Sequence, residues 1–341
     1  MPRPVTPYRR DPDANPGVPG DFHSFPLISV VIPARNEEPQ IARVVRSVLD
    51  QCPAGSNIEV IVVDDGSTDD TAEEARGAGA RVIGAGREGK GGNPAAARNT
   101  GASIAAGNPL IFLDADCVPG ERWLQSILAA HAEGETIVGG SLELPPGLPA
   151  MARCDYYCGW YLVHPGRPAG VVPHHPPPNL SVIREAFFAT SGFTDRPPMD
   201  YTNEERAWLG ELKRSGHRIF FEPVAVAYHH NRPGFGNLLR RNYRWGYTAI
   251  ESKSRSGAAR MAWLYRHPHL LILASPLLAL AHTTYILACW SRVGRFEPLL
   301  MLPAVLASRF AYAFGMAAGG IRWLRRRDSA EQEGRPRPRW V

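Results

Sequence analysis

The stretch PLIFLDADCVP, residues 109–119, sets the organisation of the chain. Leu110 to Leu113 is an uninterrupted apolar run of strand length, and it ends directly in Asp114 and Asp116 with only Ala115 between them. In extended backbone, residues two apart project to the same side, so both carboxylates can reach one hard cation such as Mg²⁺ or Mn²⁺. Asp is also common in turns and helix caps that follow strands, and the tripeptide alone leaves both roles open.

Upstream, apolar strands alternate with amphipathic helices. Leu27 to Ile32 is a continuous apolar run closed by Pro33, which predicts a strand buried on both faces. Ile41, Val44, Val45, Val48 and Leu49 draw one stripe on a helix. Ile58 to Val63 predicts a second buried strand. It ends in Asp64-Asp65-Gly66-Ser67-Thr68-Asp69, where Gly66 permits a tight turn and Ser67 or Thr68 can cap a helix reaching about Ala78. A short strand at Arg81 to Ile83, a helix from about Pro94 to Ala106 and the strand at Leu110 complete a βαβαβ series. Such a series predicts an α/β fold with a parallel sheet, helices on both faces and ligands at the carboxyl ends of the strands. Asp64, Asp65, Asp114 and Asp116 all fall at those ends.

The same edge carries positive charge. Gly86 to Pro94 is a glycine-rich loop, and the helix behind it shows Arg98 and Asn99 in its first turns, an arrangement suited to phosphate oxygens. It is not a P-loop, and no G-x-G-x-x-G follows the first strand, which argues against a dinucleotide-dependent oxidoreductase. A plain surface loop is the alternative.

Four segments in order, Val31 to Glu38, Val63 to Asp69, Ala96 to Gly101 and Asp114-Ala115-Asp116, together resemble family-2 glycosyltransferases of the GT-A fold. The likeness continues through Pro178 to Arg184 with Gly192-Phe193, and through Glu204-Glu205 with Leu212 to Gly216, so it spans Leu27 to about His230. The resemblance implies a Rossmann-like, mixed and mainly parallel sheet flanked by helices. It implies that Pro33 to Glu37, Arg35 among them, border the nucleotide with Asp64 and Asp65, Asp65 accepting a hydrogen bond from the base. Arg98 is expected to face the diphosphate, and Ala115 to lie in the nucleotide-sugar site. Asp114 and Asp116 are expected to hold a divalent metal, Mn²⁺ or Mg²⁺, Asp116 the more directly. The metal neutralises charge that builds on a departing nucleoside diphosphate.

An acceptor hydroxyl needs a base. In inverting family-2 enzymes an acidic pair at a helix start supplies it, which here implies Glu205, with Glu204 and Asp200 as the other candidates. The family usually has Asp at the second place, and Glu is one methylene longer. Acids in a first helical turn also occur for dipole reasons alone. Val224 to Tyr228 predicts a strand delivering His229 and His230, and the resemblance implies a third metal ligand there, His229 before His230. His174 and His175 lead into Pro176 to Pro178, a stiff loop near the acceptor. Tyr156, Tyr157, Trp160 and Tyr161 serve either packing or acceptor contact.

Of 341 residues, 44% are apolar, enough for a large core, and the net charge is +5. Five Cys show no paired spacing, which predicts a reducing compartment. Residues 1–25 are rich in Pro, Gly, Asp and Arg and lack an apolar run, predicting a disordered segment. A catalytic domain is expected over 26–233, a basic amphipathic linker over 234–266, two hydrophobic helices over 267–323 and a basic disordered tail over 324–341. Leu270 to Trp290 has no charge and Pro298 to Ile321 has one, Arg309, so each is near the ~20 apolar residues that cross a bilayer. Basic residues from Arg240 to Arg266 and from Arg322 onward flank them, predicting a transmembrane hairpin with both ends cytoplasmic; an in-plane hairpin or a dimer interface is the alternative.

The expectation is an inverting, metal-dependent transfer of a hexose from a UDP- or GDP-sugar to a lipid or glycan hydroxyl at the inner membrane face. Membrane lipids are expected partners and nucleic acid is not. The alternatives are transfer to a polyprenyl phosphate, which needs no base, and a catalytically inactive membrane-associated binding protein.

Overall fold

The computed structural model describes residues 25–85, 92–195, 203–256 and 267–332. The N-terminal segment 1–24, residues 86–91 of the glycine-rich loop, Asp200, the end of the basic linker at 257–266 and the tail beyond 332 lie outside the described residues.

The first half alternates as the hydrophobic pattern predicts: β1 (Leu27–Ala34), α1 (Glu38–Leu49), β2 (Asn57–Asp64), α2 (Thr71–Gly77), β3 (Arg81–Gly84), α3 (Pro94–Ile104) and β4 (Leu110–Leu113). β3, β2, β1 and β4 run parallel, in that spatial order, so their carboxyl ends share one edge. Every residue of β4 is fully buried, as a continuous apolar strand requires. α3 begins where Asn93 accepts from Ala96 N at 3.0 Å and Pro94 occupies the first turn. Its small residues let it sit close to the sheet: a Cβ on Gly101 would overlap Val31 Cγ1 and lie 3.0 Å from Val63 Cγ2.

The second half adds β5 (Cys117–Pro119), α4 (Trp123–Ala132), β6 (Ile137–Glu143), α5 (Ala150–Gly159), β7 (Gly170–Val172), β8 (Asn179–Val182), α6 (Arg184–Phe188), α7 (Glu205–Arg214) and β9 (Ile219–His229). β8 joins β4 antiparallel, β6 joins β8 antiparallel, and β9 joins β6 parallel. Two reversals bring β6 and β9 back to the direction of β4, so His229 at the end of β9 reaches the same edge as Asp114. Phe112 of β4, Phe193 and Trp208 of α7 form an aromatic knot, with Phe193 and Trp208 centroids 4.5 Å apart. That knot anchors α7 to the sheet; truncating fully buried Trp208 to Ala is expected to cost about 3–5 kcal/mol.

Beyond the sheet come α8 (Phe235–Ser256), α9 (Pro268–Ser291), α10 (Glu297–Leu300) and α11 (Leu302–Gln332). α9 and α11 are long and apolar enough to cross a membrane. The turn between them is bound to the catalytic domain: Arg295 makes a two-pronged ion pair with Glu143 of β6, and Glu297 accepts from Tyr157 Oη at 2.6 Å and pairs ionically with Arg153 Nε at 2.7 Å. α11 also runs to Gln332, past the point where the sequence predicts a disordered tail, because Arg, Ala, Glu and Gln there are good helix formers.

Candidate active site

After β4 the chain turns, with Cys117 N donating to Asp114 O at 3.0 Å and Asp114 N to Pro178 O at 3.2 Å. β5 then pairs with β9 so that Cys117 lies opposite His229, and His230 N donates to Asp116 O at 2.8 Å. This register brings Asp116 Oδ1 within 3.7 Å of His229 Nε2. The other ring nitrogen, Nδ1, lies 2.9 Å from Asn231 Oδ1, and Asn231 Nδ2 donates to Asp155 Oδ2 at 2.8 Å. With an N–H of that amide on Asp155, its oxygen faces His229 Nδ1, which leaves Nε2 as the ring nitrogen on the Asp116 side. Asp116 Oδ1 and His229 Nε2 are a carboxylate and an imidazole atom that could take a cation, and the Asn231 and Asp155 contacts behind the ring hold its orientation. Carboxylate oxygen with imidazole nitrogen suits Mn²⁺ or Mg²⁺. Cys117 Sγ completes a group whose ligand atoms all lie within 4.8 Å of one another. Burial and the charges of Asp116 and Asp114 push that thiol well above its usual range, so it remains protonated and fills space beside the site.

Asp114, expected as a shared metal ligand, has one carboxylate oxygen engaged by an arginine. Its Oδ1 accepts from Arg98 Nη2 at 2.5 Å, and Arg98 Nη1 donates to Glu204 Oε1 at 2.6 Å. Arg98 was expected to face a diphosphate; its guanidinium is buried, lies 5.4 Å from the Phe193 ring centroid and is committed to two carboxylates. The reason is the close seat of α3 on the sheet, which points Arg98 inward between β4 and α7. The two acids hold its charge, overcoming burial.

Asn203 takes a left-handed conformation, φ 62°, just ahead of the acid pair, and its Nδ2 donates to Thr248 Oγ1 of α8 at 3.0 Å. Glu204 and Glu205 thereby turn to different partners. Burial pushes Glu204 up to about 7, against the pull of Arg98 and helped by the charge of Glu205. Burial also acts to raise Glu205, but His174 Nε2, 3.0 Å from its Oε1, and nearby Arg206 outweigh it and hold Glu205 below the usual carboxylate range. His174 itself is lowered by burial and Arg206. A neutral imidazole donating to an ionised, buried carboxylate is the result.

On the first two strands, Asn36 (φ 55°) ties its loop to the β2 turn: its N–H donates to Ser67 Oγ at 3.0 Å and its Oδ1 accepts from Thr68 N at 2.8 Å. Ser67 and Thr68 thus lock two loops together instead of capping α2, whose N-cap is Asp70. Asp64 Oδ1 accepts from Ser67 N at 3.1 Å. Asp65, expected to accept from a nucleotide base, is buried with Oδ2 taking the backbone N–H of Gly92 at 2.7 Å and Asn93 at 2.5 Å. Pro33 lies within β1, Ala34 pairs with Asp64 in register, and Arg35 and Glu37 follow on the same edge. Glu37 bonds Arg232 at 2.6 Å, yet burial and the neighbouring Asp116 charge raise it to about 7.

Asp116 and His229 come together and Ala115 is buried between the two acids of its turn. Three participants escaped the sequence reading: Cys117, Arg232 and the His174 contact to Glu205. Cys117 was detectable only as the residue after the second Asp, and Arg232 as a cation following the two histidines. Tyr156, Tyr157 and Trp160 are buried in packing with Trp290 and Trp245, and Tyr161 bonds His282 Nε2 at 2.8 Å.

Comparison with known proteins adds three findings. A family model described as glycosyl transferase family 2 matches residues 29–147. Glycosyltransferase AglE of Haloferax volcanii is 30% identical over 237 residues, covering 67% of this chain and 74% of AglE, and 4,4'-diaponeurosporenoate glycosyltransferase of Staphylococcus aureus is 38% identical over 317 residues, covering 81% and 79%. Among solved structures, mannosyltransferase PcManGT from Pyrobaculum calidifontis, in complex with GDP-Man and Mn²⁺, matches with a TM-score of 0.57 at 20% identity, covering 87% of both chains. At that identity the likeness speaks to the fold alone.

Proposed function

The chain belongs to glycosyl transferase family 2 and is a glycosyltransferase, and from that premise we propose that it moves a hexose from a UDP- or GDP-sugar to a hydroxyl of a lipid or glycan acceptor held at the cytoplasmic membrane face, with inversion at the sugar carbon. The observation that carries this reading is Asp116 Oδ1 lying 3.7 Å from His229 Nε2 at the carboxyl edge of the sheet. Those two side chains would hold a divalent cation, Mn²⁺ or Mg²⁺, which would supply neutralising charge to the diphosphate leaving group. PcManGT, whose fold this chain shares, was solved with GDP-Man and Mn²⁺, a donor and a metal of the classes proposed here.

The chain's own residues carry the remaining steps. The loop locked by Asn36 and the β2 turn, with Pro33, Arg35, Glu37, Asp64 and Asp65, borders the nucleotide. Asp114 and Glu204, joined through Arg98, keep the turn and the acid pair in one geometry. Glu205, ionised and oriented by His174, takes the proton of the acceptor hydroxyl as its oxygen bonds to the anomeric carbon and the bond to the diphosphate oxygen breaks. A side chain held in place before substrate arrives loses no rate to reorientation.

The test is thermal stabilisation of the purified chain by a panel of nucleotide sugars with and without Mn²⁺, since a ligand that binds only the folded state raises its melting point. Metal-dependent stabilisation by at least one UDP- or GDP-sugar, lost in Asp116→Ala, is expected. No stabilisation by any member, with Asp116→Ala indistinguishable from the parent, overturns the reading.

A further inference from the structure

The geometry points to an in-plane attachment: we propose that α9 and α11 lie along one leaflet of an anionic lipid bilayer, without crossing it. The proposal rests on the membrane-face part of the function above but on none of its chemistry.

The turn between the two helices decides the topology. A crossing hairpin places its turn some 30 Å of hydrocarbon away from the domain that precedes it. Here Arg295 is paired with Glu143 of β6, Glu297 with Arg153 and Tyr157, and Trp290 Nε1 donates to Tyr157 O at 2.9 Å. The turn is therefore part of the catalytic domain's surface.

Insertion from the opposite end is blocked by α8. A Cβ on Gly246 would overlap Tyr312 O, one on Gly315 would overlap Tyr243 O, and one on Gly319 would overlap Tyr247 O. Backbones in contact at three points do not part, so α8 travels with α11. α8 carries Arg240, Arg241, Arg244 and Lys253, charges that oppose burial in hydrocarbon. Arg309, the one charge in the apolar run of α11, is turned inward onto Asn242 of α8 and is 2% exposed.

What remains outward is uncharged. α9 exposes Leu270, Leu273, Leu277 and Leu280 at helical spacing, with Leu273 and Leu277 82% and 71% exposed. The turn and α11 add Leu300, Leu302, Phe314 and Ile321. Arg240 and Arg244 of α8, Arg292 beside the turn and Arg325 on α11 are exposed. Residues 235–341 hold seventeen Arg and Lys against five Asp and Glu, so the positive charge of the protein is concentrated in this part. Apolar stripes bordered by arginine match the interfacial zone of an anionic membrane, with acyl chains beneath and phosphate headgroups beside them.

The experiment uses the full chain in a Cys52→Ser, Cys289→Ser background, with an environment-sensitive fluorophore on Leu280→Cys, at the middle of α9, or on Leu300→Cys, in the turn. Vesicles of phosphatidylcholine with phosphatidylglycerol carry a nitroxide quencher at acyl carbon 5 or carbon 12. In-plane attachment predicts stronger quenching by the shallow probe at both positions, and Arg240→Glu with Arg244→Glu is expected to weaken partitioning into these vesicles at least tenfold at low salt. Stronger quenching of position 280 by the deep probe means a spanning helix and overturns the proposal. Unquenched labels on a chain that light scattering shows to be a dimer assign the apolar faces to a second copy and also overturn it. None of these readouts needs a nucleotide sugar, so failure here leaves the glycosyl-transfer reading standing.

Discussion

Arg98 Nη2 lies 2.5 Å from Asp114 Oδ1, and this buried ion pair joins the acidic turn at the end of β4 to the acid pair that opens α7, because the other guanidinium nitrogen holds Glu204. A side chain from the helix between them thus sets the spacing of two functional segments far apart in sequence.

Removing Arg98 leaves two carboxylates without their cation in a dry site. Arg98→Met is expected to lower unfolding free energy by about 3–5 kcal/mol, the usual cost of breaking one side of a buried pair. Arg98→Lys is expected to fold but to lose turnover, since one ammonium cannot span both acids in fork geometry. Denaturant unfolding and kcat on the two variants check this; a Lys variant with parental kcat counts against the spacing role.

Asn231 Oδ1 lies 2.9 Å from His229 Nδ1 and holds the ring from behind. Asn231→Leu, which keeps the volume but not the acceptor, is expected to weaken Mn²⁺ binding about 10–100-fold. Asp116→Asn is expected to weaken it at least as much, and Asp114→Asn less, because Asp114 is committed to Arg98. Calorimetric titration of Mn²⁺ into each protein ranks the three.

Glu205→Gln keeps the shape of the base and removes its proton affinity. A loss of about 10²–10⁴ in kcat with little change in donor KM is expected for transfer to a hydroxyl. Turnover near the parental level favours an acceptor already ionised, such as a polyprenyl phosphate.

His174 holds Glu205 low against burial. In His174→Ala burial is opposed only by Arg206 and a backbone hydrogen bond, so the Glu205 pKa rises and the carboxylate is protonated at pH values where the parent is ionised. The acid limb of the kcat profile is expected to move to higher pH, with a larger loss at pH 6 than at pH 8. His174→Gln, which retains an N–H donor, is expected to restore the limb partly. Equal losses at all pH values in both variants would reduce His174 to packing.

The sequence by itself determined the alternating half of the fold. Apolar runs such as Leu27 to Ile32 and Leu110 to Leu113, separated by amphipathic repeats, admit few arrangements other than parallel strands covered by helices. It also placed Asp114, Asp116, Glu204 and Glu205 at element ends, where backbone polarity and exposure put chemistry. Partnership was decided only by the tertiary structure. Which of two adjacent acids receives Arg98, and that His174 rather than His175 reaches Glu205, depends on contacts between residues far apart in sequence, and local periodicity carries no information about those. The apolar helices show the same division. Their length and composition were legible as sufficient to cross a membrane, but how they pack on the rest of the chain rests on Arg295 meeting Glu143 and on three glycines meeting carbonyls, long-range packing that no hydropathy window contains.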